Sequence, residues 1–297
     1  MLVVVLFALA GCGTCGGPGC GGRISSGDLY FTRYAATPNL MKVHFDYSSG
    51  KFTLDKPKAI ATLDGVDGLA FAPDGDLLVG GQGGTVHKVK VADGKFKDAK
   101  ASGGAWHVSI DPSGKKAWVT GIPGPVTEIP LAPFGDGVRH DLTGDDTSVT
   151  TIAFDGSGHA YYTSGASGGY GNVGSIDLKT FTTTRRMQNV PAAHGMAFDR
   201  FSGDLLLFGS NHITQVDPKT MKVVSDRVIK ASVILDQGTV DGNGYVFVAS
   251  NNGQLVFVDY SGSKKIGTTG SFAAVQLLAS SLDDVAPLTG EGSVPCS

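Results

Sequence analysis

Ionisable side chains recur at one position of a repeated phrase, where they could bind a cation or move a proton. Each phrase is an apolar run that leads into a tight turn. The residue four places before an aligned apolar position is, in chain order, Asp67, Trp106, Thr150, His194, Asp236 and Asp283. Clustered carboxylates are typical ligands of a hard divalent cation, and a carboxylate beside an imidazole can act as a general acid–base pair. The pattern predicts a polar ring that forms a ligand-binding site.

The side chains of this ring have different expected roles. The candidate metal ligands, for calcium or another divalent ion, are Asp67, Asp236 and Asp283. His194 is the candidate catalytic group, because an imidazole can take up or release a proton near neutral pH. A simpler interpretation stays open, in which the carboxylates cap backbone amides at a solvated rim and the histidine is a hydrogen-bonded structural residue.

The phrase itself indicates the architecture. It first occurs as VDGLAFAPDGDLLVGG (66–81), which is an apolar run, a turn and a second apolar run. The glycine of that turn recurs at Gly75, Gly114, Gly158, Gly203 and Gly244. A period of roughly 40–45 residues is typical of propellers, in which each repeat is a four-stranded blade. Two further alternating or polar segments follow most hairpins, so we predict four antiparallel strands per unit and almost no helix.

The two chain ends supply one further unit. GDLYFTRY from Gly27 and LMKVHFDYSSG from Leu40 have the pattern of a second and a third strand with no first strand before them. LDDVAPLTG from Leu282 has the pattern of a first strand with nothing after it. Placing this last strand innermost in the first blade closes the ring and covers an otherwise exposed sheet edge. The sequence therefore predicts an all-β, six-bladed β-propeller over residues 24–297.

The repeats resemble those of the wider six-bladed superfamily of NHL-repeat proteins, virginiamycin B lyase and the senescence-marker-protein/gluconolactonase group. The step Asp67-Gly68 in VDGLAF is similar to the acidic "DG" step that helps to hold a divalent ion in the gluconolactonase group. The step His194-Gly195 in AHGMAF is similar to the "HG" step whose histidine meets substrate in virginiamycin B lyase. The resemblance implies a site at the blade starts, although uncharged residues stand where the gluconolactonase pattern has Glu and Asn.

The beginning of the chain has features of an exported protein. The apolar run at residues 2–10 is too short to span a bilayer. It ends in the residues LAGC, which resemble the lipobox of bacterial lipoproteins. The resemblance implies a signal peptide over residues 1–11, acylation of Cys12 and a Gly/Cys-rich tether over residues 12–23. It also implies anchoring in a lipid bilayer, and the glycine after the cysteine favours the bacterial outer membrane, on its periplasmic or surface face.

Composition and cysteine placement narrow the classes of protein. The 297 residues carry a formal net charge of −3, so no nucleic-acid surface is expected. The four cysteines are Cys12, Cys15, Cys20 and Cys296, all near the chain ends. Disulfides form in oxidising compartments, and ring closure would bring the two ends together. We therefore expect a bridge from Cys296 to Cys20 or Cys15, with a Cys15–Cys20 bridge as the alternative.

Two classes of function remain open from the sequence. The first is a lipid-anchored extracytoplasmic propeller that acts as a binding or assembly module for a protein partner or a small-molecule or glycan ligand. The alternative is a divalent-metal-dependent hydrolase or lyase, similar to a lactonase, that uses the acidic ring at the propeller mouth. The incomplete set of gluconolactonase ligands favours the first class, and the three ring carboxylates keep the second open.

Overall fold

The chain is all-β over the residues that the computed structural model describes, which are 26–287 except 49, 123, 167 and 269. Six sheets of four or five strands are arranged as a six-bladed β-propeller, and no helix is present in the described ranges. The predicted fold class is confirmed.

The first three blades follow one another along the chain. Blade 1 contains β1 (Ser26–Arg33), β2 (Leu40–Ser48), β3 (Lys51–Leu54) and the short β4 (Lys58–Ala61). Blade 2 contains β5 (Val66–Phe71), β6 (Leu77–Gly81), β7 (Thr85–Val89) and β8 (Phe96–Lys100). Blade 3 contains β9 (His107–Ile110), β10 (Lys116–Thr120), β11 (Val126–Pro130) and β12 (Val138–His140).

The remaining blades continue the series, and the last strand returns to blade 1. Blade 4 contains β13 (Thr143–Gly144), β14 (Thr151–Phe154), β15 (Ala160–Thr163), β16 (Gly171–Asp177) and β17 (Thr182–Val190). Blade 5 contains β18 (Gly195–Asp199), β19 (Asp204–Gly209), β20 (His212–Asp217) and β21 (Lys222–Val228). Blade 6 contains β22 (Leu235–Val240), β23 (Tyr245–Ser250), β24 (Gln254–Asp259) and β25 (Phe272–Leu277). The inner strand of blade 1 is β26 (Leu282–Pro287).

Ring closure occurs as the sequence predicts. β26 pairs with β1 in antiparallel orientation, with Leu29 opposite Pro287 and Phe31 opposite Val285. The strand order in blade 1 is therefore β26-β1-β2-β3, which combines the last strand of the described residues with the first three. The five turn glycines between first and second strands all adopt positive φ, a conformation that glycine reaches without strain.

Apolar side chains fill the spaces between neighbouring blades. Between blades 6 and 1, the ring centroids of Phe257 and Phe52 lie 4.4 Å apart and the two rings are stacked. Phe45 and Phe247 pack against the same group. Each aromatic side chain removed from water contributes on the order of 2–3 kcal/mol. Because both faces of each inner strand are covered in this way, the inner strands are buried along their length.

Three blades are also hydrogen-bonded to the next blade through a threonine near the end of their second strand. The hydroxyl donates a hydrogen bond to the backbone carbonyl of the ring residue at the start of the next inner strand. The three pairs are Thr32 with Asp67, Thr120 with Thr150, and Thr163 with His194. These bonds fix the backbone from which the ring side chains project.

Close packing of blades 2 and 3 predicts a sharp difference between two nearby glycines. A Cβ on Gly80 would lie 2.0 Å from the carbonyl oxygen of Ala105. We expect Gly80→Ala to lower the free energy of unfolding by about 2–3 kcal/mol, because the two backbones must move apart. Denaturant unfolding measures the change. Gly83→Ala is the control, since no atom lies within 4 Å of its Cβ, and equal losses in both variants would contradict the blade contact.

Candidate functional site

The starts of the inner strands converge at the propeller axis and bring the charged ring residues together. Asp67, His194, Asp236 and Asp283 are each at most 6% exposed. Electrostatic coupling among these four side chains places them in one cluster. The structure therefore brings these four predicted ring residues together, in a buried position and not at an open rim.

His194 and Asp236 form a buried ion pair across blades 5 and 6. The His194 Nδ1 atom lies 2.7 Å from the carbonyl oxygen of Gly165, and Nε2 lies 2.7 Å from Oδ1 of Asp236. Both partners are acceptors, so the ring donates from both nitrogens and is an imidazolium. Burial acts to lower the pKa of His194, but the charge of Asp236 and the hydrogen bond to it outweigh burial and raise it. Burial acts to raise the pKa of Asp236, but the charge of His194 and the hydrogen bond from it, with smaller contributions from neighbouring groups, hold the pKa below its usual range.

Asp67 and Asp283 form a second pair, between blades 2 and 1, that shares a proton. Burial raises the pKa of both carboxyls well above the usual range, and the negative charge of Asp236 adds to the shift. The two carboxyls are neighbours that interact electrostatically, and Nε2 of Gln82 donates to Oδ2 of Asp67 over 2.8 Å. Two buried carboxylates in contact cannot both ionise cheaply, so one proton remains between them.

His107 is the residue at the axis that the sequence interpretation missed. It is 2% exposed, and its ring centroid lies 5.1 Å from that of His194. Neither of its ring nitrogens has a hydrogen-bond partner within the described part of the chain. Burial, assisted by the charge of His194, lowers the pKa of His107 to about 3, so its imidazole is neutral. One donor atom from each of His107, His194 and Asp236 can be chosen so that all three lie within 4.8 Å of one another.

A second ring lies one residue farther along each inner strand. Its members are Gly68, His107, Thr151, Gly195, Gln237 and Asp284. The Oε1 atom of Gln237 accepts from the Met196 amide over 2.9 Å, and Oδ2 of Asp284 accepts from the Leu69 amide over 2.8 Å. These polar side chains therefore bond to the inner strands of neighbouring blades. Their signal in the sequence is a polar residue within a strand that is buried on both faces.

The two uncharged residues of the predicted ring have local roles. Thr150 is 3% exposed, and its hydroxyl donates to the carbonyl oxygen of Gly165 over 2.9 Å, the same oxygen that His194 contacts. Trp106 is half-buried, and its indole lies beside Gly104 in its own blade. Thr150 thus supports the position of His194, whereas no described contact joins the Trp106 side chain to the charged cluster.

Two cavities differ in what they could hold. The space farther along the inner strands, beside Leu69, Ser109 and Gln237, has a volume of about 10 Å³, which is room for about one water molecule. A groove between the outer strands of blades 5 and 6 has a volume of about 670 Å³. Val228 and Val275 line this groove. Pockets for small organic ligands have volumes of about 300–1,000 Å³, so only the groove is of that size.

The predictions for the chain ends lie outside the described residues. Cys12, Cys15, Cys20 and Cys296 all belong to these ends, so the signal peptide, the acylation and the disulfide remain predictions. Within residues 26–287 no helix has the length and apolar character to cross a bilayer.

Comparison with known proteins gives the fold and no closer identity. No family model matches the chain, and no curated protein matches it either. Among solved structures it is similar to Kuenenia stuttgartiensis hydrazine synthase, with a TM-score of 0.53 and 15% sequence identity. The match covers 74% of this chain and 70% of the other. At this identity the similarity supports the fold alone.

The proton shared by Asp67 and Asp283 predicts an unusual pH dependence of stability. Folding raises the pKa of Asp283 above its ordinary value of 3.8, so its protonated form stabilises the fold fully below pH 3.8, and this stability is lost progressively as the pH rises above that value. Asparagine cannot ionise and can still donate to Asp67. We expect Asp283→Asn to raise the melting temperature at pH 8 by roughly 3 °C, with a smaller gain toward pH 4.

Asp74→Asn is the control for this measurement. Burial acts to raise the pKa of Asp74, but the hydrogen bonds from Lys88 and from the Asp76 amide, together with the charge of Lys88, outweigh it and lower the pKa. Its carboxylate therefore stabilises the fold above pH 3.8, and the variant should show no gain at pH 8. A loss of stability in Asp283→Asn of the same size at every pH would show that Asp283 matters only for packing.

Proposed function

We propose that this protein is an exported, lipid-anchored β-propeller that acts as a binding or assembly module. The fold supports a binding, assembly or enzymatic module in general, because propellers present several faces on a rigid frame. The apolar run and the LAGC residues that precede Cys12 support export and anchoring. Two or three acyl chains at Cys12 would be enough for stable attachment to a bilayer.

The state of the ring carboxylates favours binding over catalysis. A general acid or base must come within hydrogen-bond distance of the substrate. The four charged ring residues are at most 6% exposed, and the adjoining axial space of about 10 Å³ is too small for a lactone or a sugar. His194 also uses both ring nitrogens in hydrogen bonds within the protein. These features argue against the hydrolase alternative.

The groove between blades 5 and 6 is the surface that we assign to the partner. Its volume of about 670 Å³ and its mixed lining, in which Val228, Ile229 and Val275 lie beside charged and hydroxyl groups, suit an inserted side chain or a short segment. Arg227 lies in its wall, half-buried, and burial lowers its pKa. Arg227 makes no ion pair within the described residues, although its Nη1 atom donates to Ser271. Lys230 adds a second positive charge, and the one carboxylate of the lining, Asp226, already pairs with His212. A partner segment with an apolar side chain and a carboxylate would compensate this buried charge.

Acylation at Cys12 is tested by mass spectrometry of the membrane fraction. We expect the first residue of the mature chain to be Cys12 with two or three acyl chains. Cys12→Ser should move the protein out of the membrane fraction, because the thiol that accepts the lipid is lost. An unmodified wild-type chain that begins at Met1 would contradict the anchor.

Photo-crosslinking from two valines of β21 tests the groove. Val228 and Val223 are 49% and 52% exposed, but only Val228 lines the groove. A photoreactive amino acid at position 228 should give one dominant adduct in intact cells, and position 223 should give little. Equal labelling at both positions would contradict a partner in the groove. Turnover of a lactone panel that His194→Ala abolishes would instead support the hydrolase alternative.

A further inference from the structure

Three metal-binding side chains from three different blades meet at the propeller axis. His107 comes from blade 3, His194 from blade 5 and Asp236 from blade 6, and their donor atoms can be chosen to lie within 4.8 Å of one another. All three residues are at most 6% exposed. Within the described ranges no other group of three histidine, cysteine, aspartate or glutamate side chains comes this close.

The unsatisfied imidazole of His107 is an independent indication of a ligand. Both of its nitrogens are buried, and neither has a hydrogen-bond partner among the described residues. Buried polar atoms in native proteins almost always have a partner. At least one nitrogen of a neutral imidazole carries a free lone pair. A cation or an ordered water molecule beside His107 would therefore satisfy its imidazole.

The surroundings of His194 match those of a histidine that binds a metal. Its Nδ1 atom donates to the carbonyl oxygen of Gly165 over 2.7 Å, which fixes the ring and directs Nε2 toward Asp236. Metal-binding histidines usually make such a bond from their second nitrogen. In the metal-free state Nε2 of His194 donates its proton to Asp236, so an incoming ion must displace that proton to solvent and then bind Nε2 and a carboxylate oxygen of Asp236 in its place.

The nearby charges also favour a cation. Asp67 and Asp283 couple electrostatically to Asp236, and Asp284 couples to Asp67. These acidic groups lie next to the three donor groups, in a place that water reaches poorly. Once His194 has lost its proton, a dipositive ion would find compensating negative charge on Asp236 and on the Asp67–Asp283 pair at short distance.

We propose that His107, His194 and Asp236 bind a divalent first-row transition-metal ion, such as zinc, that holds blades 3, 5 and 6 together at the axis. Two imidazole nitrogens and one carboxylate oxygen suit zinc and its neighbours, whereas calcium and magnesium prefer oxygen ligands alone. Three protein ligands leave a coordination position for a water molecule. This inference depends neither on the membrane anchor nor on the groove.

Zinc and cobalt(II) titrations of the full-length chain test this site. All four cysteines are replaced by serine in every protein tested, because thiolates also bind zinc. After treatment with chelator and its removal, calorimetry should show about one ion bound per chain. Excess zinc should raise the melting temperature by about 5 °C, and chelator should reverse the shift.

Two substitutions of His107 separate metal binding from folding. His107→Ala should weaken zinc binding by at least about tenfold and remove the thermal shift. His107→Gln keeps a polar side chain of similar length and should give the same result, with circular dichroism reporting whether each variant is folded. His159→Ala is the matched control, because His159 pairs with Asp155 over 3.1 Å but is exposed. It should retain full binding.

Two other outcomes of these titrations would contradict the proposed metal site. If the cysteine-free protein with an unchanged axis binds neither zinc nor cobalt stoichiometrically, a water molecule satisfies His107 and the proposal is wrong. If His107→Gln retains binding and Asp67→Asn loses it, the ion sits among carboxylates instead. Because these proteins carry no acyl chains and need no partner, the results do not depend on whether the proposed anchoring and groove binding hold.

Discussion

The antiparallel pairing of β26 with β1 is the interaction on which the rest of the structure depends. It gives blade 1 its inner strand and so completes a ring that has no open edge at the axis. It also carries Asp283 and Asp284 to the axis from the far end of the chain. Without that pairing, Asp67 would lose the carboxyl with which it shares a proton, and the Leu69 amide would lose its acceptor.

Pairs of ionisable side chains at the axis connect adjacent blades, as do the hydrogen bonds from threonine hydroxyls to the backbone of the next blade. His194 of blade 5 pairs with Asp236 of blade 6, and Asp67 of blade 2 pairs with Asp283 of blade 1. In a low-dielectric interior an isolated charge is costly, but a compensated pair is tolerated and is sensitive to the geometry of both partners. The axis therefore contains two polar side-chain pairs that connect blades, and beside them lies one imidazole without a hydrogen-bond partner among the described residues, that of His107.

The sequence predicted the repeats and the closure because both depend on patterns that survive without tertiary detail. Turn glycines and alternating apolar runs mark each hairpin, and an unmatched strand at each end marks the closure. The same alignment identified Asp67, His194, Asp236 and Asp283. It missed His107, because it examined one position per strand whereas strands buried on both faces place two successive side chains near the axis. It also could not reveal which charges pair, since that depends on the spacing between blades.

The composite blade has a consequence for the order in which the molecule assembles. Blades 2 to 6 are each made of consecutive residues, so their strands can pair as soon as each repeat is available. Blade 1 cannot be completed until β26 is available, since β1 and β26 make the strand pairing with the greatest sequence separation among the described residues. Until residues 282–287 arrive, a ring of five complete blades exposes an unpaired strand edge, which is a template for aggregation. An early stop near the end of the coding sequence would therefore yield an aggregation-prone chain.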